Sequence, residues 1–125
     1  MQTHPQILIS LSGKWLFIPD SKGKLSYDKI KKILSSEKVS EMNIPINWQL
    51  AGLNNFNGSV WFIKKFNLNR KLTKTNLAVL HFKGIDYFAG VWLNNKFLGA
   101  HEGYFQPFYF DVSELINDSE ENILV

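Results

Sequence analysis

Short apolar runs with the two-residue period of a β-strand recur along this chain. They fall at residues 14–18, 60–66, 77–83, 88–94, 108–112 and 122–125, each rich in aromatic or branched side chains. Turn-forming residues separate them: Pro19-Asp20-Ser21-Lys22-Gly23, Asn54-Asn55-Phe56-Asn57-Gly58, the polar stretch 67–71, and Asn94-Asn95. Within 88–94, Ala89, Val91 and Leu93 share one face of the strand, while Phe88, Gly90 and Trp92 share the other. Both faces are apolar, which predicts a strand covered on two sides. One stretch has a different period. Tyr27, Ile30, Ile33 and Leu34 recur at helical spacing, with lysines opposite and Ser26 placed to cap, so a short amphipathic helix is expected over 27–35. Inserted between the first strands, it is expected to cover a sheet edge rather than to bind a partner. Many short strands and one helix imply an all-β fold, an antiparallel β-sandwich with a short helical insertion.

The densest signal lies between residues 84 and 112. Two apolar runs, Val91-Trp92-Leu93 and Phe97-Leu98, flank Asn94-Asn95-Lys96. Asparagine tolerates the positive φ of a tight hairpin turn, so this segment predicts a β-hairpin, with Gly99 ending its second strand. The residues that follow, His101-Glu102-Gly103-Tyr104-Phe105-Gln106-Pro107-Phe108, mix polar, aromatic and Gly/Pro types, as a shaped and exposed recognition loop does.

Five motifs carry a family resemblance, and they occur in one order. The first is Leu11-Ser12-Gly13-Lys14-Trp15-Leu16-Phe17 with Asp20, and the second is Ile44-Pro45-Ile46-Asn47-Trp48. The third is Gly58-Ser59-Val60-Trp61-Phe62-Ile63-Lys64-Lys65-Phe66. The fourth is a set running through Phe82, Gly84, Ile85, Ala89, Val91, Leu93, Asn94, Leu98, Gly99, His101, Gly103, Pro107, Phe108, Asp111 and Val112. The fifth is Glu121-Asn122-Ile123-Leu124-Val125. Together they resemble the N-terminal sugar-binding domain of glycoside hydrolase family 2, which includes β-galactosidases, β-glucuronidases and β-mannosidases. Each motif alone is unspecific, since Gly, Trp and Asn punctuate many β proteins; their joint order is the signal. Asn95 stands where the family has a turn Gly, Tyr104 replaces a second Gly, and Phe105 stands where Tyr is common.

The resemblance implies a jelly roll of the galactose-binding-domain type, with Trp15, Trp48 and Trp61 as packing anchors. It implies a single domain over 1–125, non-catalytic, which braces a downstream barrel and lends a loop to its active-site rim. The parent would be a retaining β-glycosidase that hydrolyses O-glycosidic bonds of β-hexosides, its catalytic glutamates lying on that absent barrel. The strand at 122–125 reads as barely begun, so a truncated domain is expected, with an exposed edge there through which a homo-oligomer would form. The alternative is a free-standing carbohydrate-binding module with no catalytic partner.

Composition narrows the picture. With 125 residues, of which 45% are hydrophobic and 14% aromatic, the chain can bury a core and is not a disordered segment. No apolar run approaches the roughly 18 residues of a membrane span, and residues 1–10 lack the basic leader and apolar stretch of a signal peptide. The compartment stays open. Zero cysteines exclude disulfides and thiolate metal sites. The net charge is +3, but Arg70 is the sole arginine among 14 basic residues and the lysines scatter, which favours a solvated surface over a nucleic-acid interface.

Glycoside hydrolysis needs two carboxyl groups about 5 to 10 Å apart across one bond. Among the 11 carboxylates here no acid and nucleophile pair stands out. Glu120-Glu121 lie in a polar turn beside Asn117-Asp118-Ser119, Asp20 is a turn residue, Asp86 lies next to a turn, and Asp111 occupies the family's strand position, where the resemblance implies a structural hydrogen bond. The chain alone is therefore expected to be inactive. His4 and His81 are far from other ligand types, Asp20 and Asp111 are poor calcium candidates, and no metal or cofactor is expected. Ser10, Ser12 and Ser113 lack a nucleophile-elbow context. The substrate-binding candidates are His101, Glu102, Tyr104 and Asn57. For His101 and Glu102 the readings are hydrogen bonding to sugar hydroxyls or tying the loop together. Tyr104 and Phe105 stack on a sugar ring or pack on a neighbouring domain. Asn57, with Asn54 and Asn55, offers donors and acceptors to hydroxyls or simply forms the turn.

Overall fold

Backbone pairing gathers the strands into two antiparallel sheets. The computed structural model describes residues 8–36, 38–44, 59–72, 77–82, 88–102 and 107–125. Along the chain these form β1 (Gly13–Asp20), α1 (Tyr27–Ser36), β2 (Ser40–Ile44), β3 (Ser59–Phe66) and β4 (Val79–Phe82). Then come β5 (Phe88–Leu93), β6 (Lys96–Glu102), β7 (Phe108–Asp111) and β8 (Asn122–Leu124). The larger sheet has the order β2-β1-β3-β8-β5-β6, and β4 pairs with β7 in the smaller one. The six strands and the helix read from the sequence are all present. β2 was not among them: its alternation is short, with only Met42 and Ile44 apolar, and it pairs with β1 from Gly13↔Ile44 to Phe17↔Ser40.

The two sheets enclose one core. Leu80, Phe108 and Val112 face Val91, Leu93 and Leu124, with Trp15, Phe66, Phe82 and Phe110 packed around them. A second core lies on the opposite face of the large sheet, where Ile30 of α1 meets Ile18 and Ile63. Ile30 is fully buried, and Trp61, Ile123, Ile33 and Leu34 close around it. The helix thus covers the face of the sheet rather than an edge, because its apolar stripe meets the apolar outward residues of β1, β3 and β8. Its start matches expectation: the Lys29 N–H donates to the Ser26 hydroxyl at 3.4 Å. Tyr27 stacks on Trp92 with centroids 5.3 Å apart and planes 7° from parallel, so α1 reaches β5 as well. That contact accounts for the two apolar faces of the 88–94 run.

Asn94 and Asn95 take φ of 49° and 73°, as a tight hairpin turn requires. The second strand of the hairpin does not stop at Gly99, however. β6 runs on to Glu102, with Gly99 opposite Val91 and Phe97 opposite Trp92, so Leu98 is an extra residue and the pair contains a bulge. Gly99 has φ 147°, and a Cβ there would come within 3.3 Å of the Phe110 ring. The glycine marks a bulge and a close approach of the two sheets rather than a strand end.

β8 is not an edge either. It pairs with β3 through Lys64↔Leu124 to Phe66↔Asn122 and with β5 at Leu93↔Leu124. Trp92 and Val125 exchange both backbone bonds at 2.9 Å. Among the described strands the edges of the large sheet are β2 and β6, so the exposed edge expected at 122–125 is replaced by a strand hydrogen-bonded on both sides. β8 sits in the middle because Asn122 and Leu124 face the inter-sheet core, both essentially inaccessible to solvent.

Candidate functional site

The bulge decides where His101 and Glu102 point. Phe97 lies on the helix side of the sheet against Trp92, with centroids 4.9 Å apart. Leu98 packs into the inter-sheet core. Simple alternation would return residue 101 to the Phe97 side. The extra residue shifts the phase, and the His101 ring enters the space between the sheets. It stacks on Phe108 at 4.1 Å and 16°, and Phe108 stacks in turn on Phe82 at 4.7 Å and 17°. Phe110 meets Phe108 edge-on at 6.0 Å. His101 is therefore the top of a ring stack that ties β6 to β7 and β4. Its Nε2 is buried and makes no hydrogen bond.

Glu102, the last residue of β6, is exposed and opposite Phe88. These two candidates stand on a strand, where the sequence predicted a loop, because β5 continues to offer partners up to Phe88. Pro107 is exposed beside β7. Tyr104 and Asn57 lie outside the described residues, as do Asn54, Asn55, Trp48 and Phe105.

Of the aspartates weighed from the sequence, Asp86 lies outside the described residues, while Asp20 and Asp111 are engaged by nearby backbone and side-chain donors. Asp20 accepts from the Lys24 and Leu25 N–H groups at 3.0 and 2.9 Å and from the Trp61 indole at 3.5 Å. Burial raises its carboxyl pKa, but these donors together with Gly23 outweigh it and leave the group below its ordinary value. Asp111 accepts from the Ser113 hydroxyl at 2.7 Å and the Ser113 N–H at 3.0 Å, and these two bonds hold its pKa down. Asp118 accepts from the Leu72 N–H at 2.8 Å. Each carboxylate clips a turn or loop in place. Among the described residues no three His, Asp or Glu side chains converge to hold a metal ion.

Two family-motif asparagines turn out to be structural as well. Asn122 accepts from the Asn117 N–H at 2.7 Å and donates to its carbonyl at 2.9 Å. Asn94 donates to the Asn122 side chain at 2.9 Å and to the Leu115 carbonyl at 2.8 Å, and accepts from the Ile123 N–H at 2.9 Å. The turn of the hairpin is thereby pinned to β8. Trp15 and Trp61 are packing anchors as expected, both half-buried, one against each core. The Trp15 indole also donates to the Leu11 carbonyl at 2.7 Å.

Residues 26–125 match the model of the glycosyl hydrolases family 2, sugar binding domain. The chain belongs to that family. Mouse β-glucuronidase is 31% identical over 124 residues, an alignment that covers 87% of the chain and 18% of the mouse protein. A β-galactosidase from Thermoanaerobacter pseudethanolicus is 25% identical over 112 residues, covering 87% of the chain and 15% of the relative. Among solved structures, the β-glucuronidase of Bifidobacterium dentium, complexed with coumarin-3-O-glucuronide, superposes with a TM-score of 0.76 at 27% identity. That superposition covers 97% of the chain and 20% of the bacterial enzyme. This family 2 sugar-binding domain thus spans less than a fifth of the length of the two curated relatives. Its jelly-roll sandwich agrees with the fold expected from the ordered motifs.

Proposed function

We propose that this family 2 sugar-binding domain serves as the non-catalytic N-terminal domain of a retaining β-glycosidase. In that enzyme it braces the catalytic barrel and contributes the 101–108 segment to the active-site rim. One observation carries the reading: the chain aligns over nearly its whole length with β-glucuronidases and β-galactosidases, yet spans only 15% and 18% of them. The engagement of Asp20, Asp111 and Asp118 as backbone acceptors supports placing the chemistry elsewhere. Glu102 is the residue proposed to meet the sugar, since it is exposed where β6 ends. Tyr104 and Asn57 are proposed to contact the sugar as well, with His101 holding the strand from behind.

The test uses chromogenic β-glucuronides and β-galactosides with the 125-residue chain and with the full-length polypeptide. Turnover is expected only from the latter. Activity of the short chain that survives purification and vanishes in Glu102→Gln would overturn the proposal. In the full-length enzyme, Glu102→Ala is expected to cost about 1.5 to 3 kcal/mol in kcat/KM, the range for a lost hydrogen bond to a charged group, with Tm almost unchanged.

A further inference from the structure

Among the described residues, two sheet surfaces carry outward-facing apolar side chains, and a described element covers one of them. Over the large sheet lies α1, with Ile30 fully buried beneath it. The other surface is the outer face of the β4–β7 ribbon. Leu80, Phe82, Phe108 and Phe110 point inward to the core. Alternation therefore sends Val79, His81, Tyr109 and Asp111 outward, in the register Val79↔Asp111 and His81↔Tyr109. Val79 is 46% exposed, Tyr109 is 72% exposed, and Leu77, of the same parity just before β4, is 72% exposed. Val79 and Tyr109 are diagonal neighbours across the pair, so the three side chains form one patch rather than scattered contacts.

We infer that this face is the surface on which the remainder of the same polypeptide packs. The inference rests on the proposal that the chain is one domain of a longer hydrolase. The relatives, of which this chain spans 15% and 18%, supply the occupant's scale. Leu77, Val79 and Tyr109 are a small apolar anchor of the kind that sits inside a larger, mostly polar interface. A covalently linked domain needs less contact than a free partner, because linkage holds it at an effective concentration of about millimolar or more. A tethered neighbour can therefore be seated by an anchor this small. His81 and Asp111 at its margins supply the polar rim of such an interface.

The experiment is tyrosine labelling by hydroxyl radicals in the 125-residue chain and in the full-length polypeptide, with Tyr27 as an internal reference. Tyr109 is expected to be labelled several-fold more slowly in the full-length polypeptide, independently of protein concentration, while Tyr27 is unchanged. In parallel, the double variant L77S/Y109S should leave the Tm of the short chain unchanged and lower that of the full-length polypeptide. Equal labelling of Tyr109 in both would overturn the inference. So would protection that fades on dilution, which means a second copy, or protection of the short chain by an added glycoside, which means a sugar platform. Glycosidase activity with Tyr109 still open defeats this inference alone; protected Tyr109 without activity defeats the functional proposal and leaves the docking face standing.

Discussion

His101 shows how one side chain carries two separable roles. Its ring extends the Phe108–Phe82 stack, while its Nε2 is buried without a partner. A buried polar atom that makes no hydrogen bond costs about 1 to 3 kcal/mol, so an apolar ring of similar shape should be tolerated or favoured. Thermal melts should place His101→Phe at or above the parent in Tm, and His101→Ala clearly below it through lost stacking. A His101→Phe chain that melts well below the parent would show that the nitrogen itself holds the fold. The sequence could single out His101 as unusual but not its direction. That depends on one extra residue at Leu98, and a bulge leaves no periodic signature in seven residues. Gly99 was visible as a glycine; its purpose, the 3.3 Å approach to Phe110, is a property of another sheet.

Among the elements, the hairpin and the last strand act as one unit. Asn94 and Asn122 make five hydrogen bonds between the β5–β6 turn, residues 115–117 and β8. Asn122 is fully buried, so its removal strands several partners at once. Asn122→Ala is expected to destabilise the fold by about 2 to 4 kcal/mol, well above a surface substitution, in urea unfolding. A loss below 0.5 kcal/mol would mean that Asn94 and the 115–117 turn are held by other means. The Asn-Asn turn and the Glu-Asn strand were each legible, since turn propensity and alternation are local properties. That the two asparagines join was not, because a pairing between distant strands follows from sheet order, which alternation alone does not encode. For the same reason α1 was placed correctly along the chain but on an edge instead of a face.

At the scale of the whole molecule, two clipped carboxylates contribute to the acid limit. Asp20 and Asp111 both titrate below their ordinary value in the folded state. Both are ionised, folded or unfolded, at neutral pH, so the stability they confer is fully present there. It is lost as pH falls below about 4 and through their depressed folded values. Melting temperature should therefore be insensitive to these groups between about pH 5 and 7 and drop steeply below 4. The variant D20N/D111N should melt lower at neutral pH and show a shallower acid limb; an unaltered acid limb would assign the transition to other groups.

The central place of β8 has a consequence for synthesis. Before residues 122–124 leave the ribosome, β1, β2 and β3 can pair among themselves and so can β5 and β6, but nothing joins the two groups within the large sheet. Their inner strands, β3 and β5, then present unpaired backbone and the apolar side chains of Ile63, Val91 and Leu93 to whatever is near. The nascent chain thus passes through a stage with two open edges flanking one narrow gap, a shape that a strand of another nascent copy can enter in place of β8. Completion of the sheet is a race between β8 and a neighbour, and tethering favours β8.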